Sequence, residues 1–74
     1  MNVEVRLFAT LRRGRFNRQV VDVPQGSTVT DVCRRLAIGL NEVAIVLVNG
    51  LEAPRERELV SGDTLSLFPG VGGG

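Results

Sequence analysis

Hydrophobic residues recur along this chain at two periods, and the switch between them marks the elements. In residues 3–8, Val3, Val5 and Leu7 share one face while Glu4, Arg6 and Phe8 share the other, and a period of two predicts a half-buried strand. Residues 19–23, Gln-Val-Val-Asp-Val, read as a second strand ended by Pro24-Gln25-Gly26. The stretch Arg12–Arg18, with Gly14 and Asn17, reads as the loop between them. The period then changes. Val29, Val32, Cys33 and Leu36 fall at i, i+3, i+4 and i+7, the core face of a helix that Thr28 caps, Asp31 boxes and Gly39 stops. Val43–Val48 is apolar at every position, which predicts a strand covered on both faces. Asn49-Gly50 signals a tight hairpin, so residues 51–53 are a short partner strand that Pro54 confines to an edge. After the turn Ser61-Gly62-Asp63, residues 64–68 alternate again, with Leu65 and Leu67 opposite Thr64, Ser66 and Phe68.

This order predicts an α+β fold, a mixed sheet of four to five strands with one main helix packed on one face. The helix crosses between the second and third strands, and the last strand lies beside the first. That is the β-grasp, or ubiquitin-like, arrangement. Residues 1–68 form the domain. Residues 69–74, Pro-Gly-Val-Gly-Gly-Gly, are expected to form a flexible tail, because glycine in a strand or helix costs too much backbone entropy. Phe8 and Phe68 sit opposite the core-facing residues at the ends of two strands expected to be parallel neighbours. Their rings should therefore lie together on the open face, a partner-binding patch with Pro69 at the root of the tail.

Composition narrows the chemistry. The chain of 74 residues allows one small domain, and 43% hydrophobic against 23% charged residues argues for folding rather than disorder. It has no histidine and no lysine; all nine basic residues are arginine. The usual neutral-pH acid/base group, Schiff-base chemistry and a phosphate-loop lysine are thus missing, and no cysteine–histidine cluster exists for a metal. The expectation is a protein that is no enzyme by itself and binds no cofactor. One cysteine forbids an internal disulfide, and neither a signal peptide nor a membrane span is legible, so the expected compartment is the cytoplasm with no membrane partner. Cys33, at core spacing on the helix, reads as a small buried residue rather than a reactive thiol.

Charge is divided: residues 1–35 hold seven arginines, and residues 36–74 hold five of the eight acidic residues. An acidic partner or RNA would suit the basic half, with Phe16 stacking on a base between Arg12, Arg13, Arg15 and Arg18. A solvated or protein-contacting loop is the commoner outcome, and no nucleic acid is expected as a partner. Arg55, Glu56, Arg57 and Glu58 alternate in sign and read as exposed surface without a role.

Leu7-Phe8-Ala9, Val48-Asn49-Gly50, Ser61-Gly62-Asp63 and the ending Leu67-Phe68-Pro69-Gly70-Val71-Gly72-Gly73-Gly74 resemble the MoaD/ThiS sulfur carriers over essentially the whole chain. The ending is most similar to the small subunit of molybdopterin synthase, departing from its pattern with Gly70 in place of a second proline and Gly72 at the small position. The resemblance implies that an E1-like adenylyltransferase uses ATP to adenylate the carboxylate of Gly74. A sulfur donor protein then supplies the sulfur of a C-terminal thiocarboxylate. It implies as a further partner the large subunit of molybdopterin synthase, where sulfur passes to a pterin precursor; in the thiamine branch the acceptor is a thiazole precursor. A ubiquitin-like modifier would use the same tail to form an amide with a target lysine. The residue types suit a thread into a closed site. Gly70, Val71, Gly72 and Gly73 leave a thin chain before the reacting Gly74, and six extended residues from Pro69 reach roughly 20 Å at about 3.3 Å each.

Overall fold

The computed structural model describes residues 1–70; Val71, Gly72, Gly73 and Gly74 lie outside the described residues. Its strands are β1 (Asn2–Leu7), β2 (Arg18–Asp22), β3 (Val43–Val48), β4 (Leu51–Glu52) and β5 (Thr64–Pro69), and its helix is α1 (Val29–Arg35). They form one sheet in the order β2-β1-β5-β3-β4. β1 and β5 run parallel at its centre, with Val5 beside Leu65 and Leu7 beside Leu67; every other pairing is antiparallel. The β-grasp expectation holds, including the neighbouring first and last strands.

The alternating residues Val3, Val5, Leu7, Leu65 and Leu67 put their side chains under α1, where Val29, Val32 and Cys33 meet them with no solvent exposure. Burial of each such aliphatic side chain is worth roughly 2 kcal/mol, which is what holds so small a domain together. Cys33 is a free, buried core residue, and burial pushes its thiol pKa up, away from reactivity, against a weaker pull downward from Arg55.

Four local readings change. The helix does not run to Gly39. It closes at Ala37, whose φ of 57° is left-handed, with Ile38 N–H donating to Cys33 O at 2.9 Å and Ala37 N–H to Arg34 O at 3.1 Å. This is a Schellman closure built on alanine, which costs about 1 kcal/mol relative to glycine and leaves no glycine signal to read. Gly39 instead starts a 3-10 turn, Leu40–Glu42. β3 is not covered on both faces: Val43, Val46 and Val48 are buried, but Ile45 stays 45% exposed, because no layer covers the open face of the sheet. A 3-10 turn, Ala9–Arg12, occupies the start of the connection between β1 and β2. The last strand extends through Pro69, which pairs with Val43, so the sheet reaches one residue into the segment expected to be tail.

Arg55 corrects the reading of residues 55–58 as bare surface. It is half-buried, its Nη2 donates to Val43 O and, at 3.3 Å, to Leu40 O, and its own carbonyl accepts from Thr30 N and Thr30 Oγ1. It fastens the entrance of β3 to the start of α1. The other basic stretch is also tied down. Arg15 donates to Leu11 O and Ala37 O, and Phe16 packs against the core, so its ring is not free to stack on a base.

The turn before β5 depends on one carboxylate. Asp63 is buried, and its Oδ2 accepts from Val60 N at 2.9 Å while its Oδ1 accepts from Asn49 Nδ2 at 2.9 Å. Asn49, at φ 53°, and Gly50, at φ 84°, make the hairpin turn, and Asn49 Oδ1 accepts from Thr64 N. The hydrogen bond from Val60 N, helped by Asn49, lowers the pKa of Asp63 against the opposing effect of burial. A carboxyl lowered on folding contributes its full stability above its unfolded value of about 3.9 and loses it as pH falls through the folded value. Asp63→Asn is therefore expected to cost about 2 kcal/mol at pH 7 and to flatten the fall in melting temperature as pH drops below about 5. Thermal melts across that range check it; an unchanged acid slope would remove Asp63 as a source of the pH dependence.

Candidate partner-docking site at the root of the tail

The parallel register of β1 and β5 carries one residue further than Leu7 and Leu67, and Phe8 N–H donates to Leu67 O at 3.2 Å. That brings Phe8 beside Phe68 on the open face. Their rings stack with centroids 4.2 Å apart and planes 10° from parallel. On the other side Phe68 pairs with Ile45 of β3, so Phe8, just past β1, Phe68 and Ile45 form an apolar row. An irregularity in the β3–β5 register between Val43 and Ile45 sets Ala44 aside and aims Ile45 at this row. Ala9, held at φ 52°, turns the chain sharply after Phe8 into the 3-10 turn.

The result is an apolar pocket of about 300 Å³ lined by Phe8, Ala9, Thr10, Ile45, Phe68, Pro69 and Gly70. Four residues expected at the site, Phe8, Phe68, Pro69 and Gly70, are thus brought together. The other four, Val71, Gly72, Gly73 and Gly74, lie outside the described residues. At Gly70 a Cβ would meet Ala44 Cβ at 3.9 Å, an ordinary contact, so packing alone does not require glycine there.

Two contributors are not legible in the sequence. The all-apolar run of β3 predicts that Ile45 is covered, and only the register with β5 turns it outward. Arg12 places its guanidinium carbon 5.5 Å from the Phe8 ring centroid and donates from Nε to Leu7 O at 2.8 Å. Further along the same face, Arg6 donates from Nε to Glu4 Oε2 at 2.8 Å, and Arg18 Nε lies 3.6 Å from the same oxygen. The apolar centre is thus partly exposed and rimmed by arginines, two of which lie against Glu4. Among the described residues no cluster of histidine, cysteine or acidic side chains could hold a metal ion, and no helix is long and apolar enough to cross a membrane.

Fold and site together define a ubiquitin-like β-grasp domain with an apolar patch where its C-terminal segment leaves the sheet. The chain belongs to the ThiS family, whose model matches residues 5–74, and so to the MoaD/ThiS class of small sulfur carriers. Among solved structures it is similar to SAMP1 from Haloferax volcanii, at 31% identity and a TM-score of 0.78 over 100% of both chains. It is also similar to a putative molybdopterin converting factor, subunit 1, from Pyrococcus furiosus, at 29% identity and a TM-score of 0.74 over 96% of this chain and 99% of that one. A protein–protein complex of subunits 1 and 2 of molybdopterin-converting factor from Helicobacter pylori shares the fold at 22% identity, with a TM-score of 0.68 over 100% of both chains. No curated protein matches the chain.

Proposed function

We propose that this protein carries sulfur as a thiocarboxylate on Gly74 and donates it in molybdopterin synthesis. The observation that carries the reading is the stacked Phe8–Phe68 pair beside Pro69, an apolar patch at the end of the central strand, which the glycine-rich ending follows in the sequence. The family match continues through that segment to Gly74.

An α-carboxylate is a poor electrophile until a good leaving group is attached. An E1-like enzyme supplies one: the Gly74 carboxylate attacks the α-phosphorus of ATP, and pyrophosphate leaves. A persulfide on the sulfur donor then attacks the acyl carbon and AMP leaves, giving an acyl disulfide. A second thiol of the partner attacks the donor's own sulfur, the S–S bond to the carrier breaks, and the thiocarboxylate is released as the partner thiols end as a disulfide. The domain's own part is to be held by its patch while the tail enters the partner's site, so it is a co-substrate rather than a catalyst. The molybdopterin branch is favoured over the thiamine branch by the Leu67-Phe68-Pro69 ending and by the likeness to the Pyrococcus furiosus subunit. The second partner is then a synthase large subunit, and the setting is the cytoplasm.

One observation favours a second reading. SAMP1 from Haloferax volcanii is 31% identical to this chain, and a second structure, of the H. volcanii small archaeal modifier protein 1, is 30% identical. A modifier would share the adenylation step and end as an amide on a target lysine. This chain has no lysine, so it offers no lysine side chain for linkage to its own kind.

The experiment is intact mass after incubation with ATP, an E1-like enzyme and a sulfur donor. The expected gain is the difference between one sulfur and one oxygen, located on the C-terminal peptide. Sulfur found on Cys33 would overturn the assignment to Gly74. Amide-linked conjugates with no thiocarboxylate would favour the modifier.

A further inference from the structure

The sheet has two edges, β4 with two residues and β2 with five. Leu7 N–H donates to Asn17 O at 2.9 Å, and Val23 N–H donates to Met1 O at 2.8 Å. This parity turns the backbone groups of Gln19 and Val21 toward β1 and those of Arg18, Val20 and Asp22 toward the free edge. The side chains of the same three residues lie on the open face and are 69%, 61% and 85% exposed, respectively. A strand edge with unpaired donors and acceptors and an exposed valine at its middle is a template for another strand.

The charges on this edge choose that strand. Arg18 and Asp22 stand two residues either side of Val20. Antiparallel pairing of β2 with β2 of a second copy, about a two-fold axis at Val20, sets Val20 against Val20 and each Arg18 directly opposite Asp22 of the other copy. Each free backbone group on the edge then has a partner in register. The unpaired chain also leaves both charges under-served. Arg18 lies across from Arg6, and the two share Glu4, while among the described residues Asp22 has only the N-terminal amino group at 3.3 Å. The second copy supplies a carboxylate to the first and a guanidinium to the second. A generic protective edge would carry one sign of charge; this one is complementary to itself.

We propose that β2 is a homodimerisation edge, joining two copies of this chain into a ten-stranded sheet. The apolar pocket lies beyond β1 and at the far end of the open face, so both pockets stay uncovered and face the same side. The proposal stands apart from the sulfur-carrier reading. A single strand pair buries little surface, so the association is weak, with a dissociation constant on the order of 0.1–1 mM.

Sedimentation equilibrium of the full chain, in a series reaching about 1 mM, tests it. The expected result is a mass rising toward twice the monomer. Arg18→Asp and Asp22→Arg each place like charges opposite one another and should raise the dissociation constant at least about tenfold. An equimolar mixture of these two variants should associate again, because every cross-strand pair is then of opposite sign. Val20→Pro removes an N–H that points away from β1, and it should abolish the dimer while the thermal melt still shows a folded domain. A wild-type chain that stays monomeric throughout would overturn the proposal, including the case where the edge serves a different protein. So would a dimer that survives both charge variants, or a mixture no better than either variant alone.

Discussion

Adding one residue after Gly74, or deleting Gly74, is expected to abolish charging by the E1-like enzyme and leave the melting temperature where it was. In the proposed function the reacting atoms are those of the carboxylate itself, so one added residue would move it about 3.3 Å beyond the activated phosphorus, more than an in-line attack tolerates. One residue fewer leaves it short by the same distance. The fold has no stake in this, because the sheet closes at Pro69 and the core residues Leu65 and Leu67 precede it. Gly73→Val should also block charging, since a branched side chain widens a thread that must pass a narrow channel. Mass spectrometry of each variant, with a melt beside it, gives the answer. Normal charging of the extended chain would place the reactive group elsewhere.

Phe68→Ser should weaken binding to the E1-like enzyme and to a synthase large subunit by at least about tenfold, which is about 1.4 kcal/mol. The ring is half-buried in the free domain and stacks on Phe8, so part of its apolar surface remains for a partner to cover. Losing the stacked contact should also cost the domain about 1 kcal/mol. Phe8→Ser should act in the same direction, more weakly for binding because Arg12 already covers part of that ring. Paired titrations and denaturant melts separate the two effects. A large loss of stability with unchanged affinity would make the pair a structural clasp and not a docking surface.

Much of this molecule was legible because its signals are local. The parity of Val3, Val5 and Leu7 against Phe8, and of Leu65 and Leu67 against Phe68, fixed the face of each ring, and the parallel pairing did the rest. The box of Thr28 and Asp31 forms as read, with Asp31 N donating to Thr28 Oγ1 at 3.2 Å and Thr28 N to Asp31 Oδ2 at 3.0 Å. Several of the differences depend on partners distant in sequence. Ala37 adopts a left-handed backbone angle unusual for a residue with a side chain, and Arg15 Nη2, 22 residues away, donates to its carbonyl at 3.0 Å. Arg55 looks like one of an alternating charge run until Val43 and Leu40 offer it their carbonyls. Ile45 faces outward because of a register set by β5, and nothing in an all-apolar hexapeptide shows that.

The central position of β5 has a consequence for how this protein is made. The strand in the middle of the sheet is the last of the five in chain order, and its parallel neighbour is the first, so Val5 must wait for Leu65. A chain still being translated holds the β1–β2 hairpin and α1 but lacks the strand between β1 and β3, so it has no continuous sheet. Contacts so remote in sequence slow folding and leave apolar edges open in the meantime. They also act as a checkpoint in biosynthesis. The apolar patch needs Phe68 seated against Phe8 and Ile45, so a chain without β5 lacks the surface that we propose an activating enzyme engages. On that reading, only a folded copy with β5 in place would be charged with sulfur.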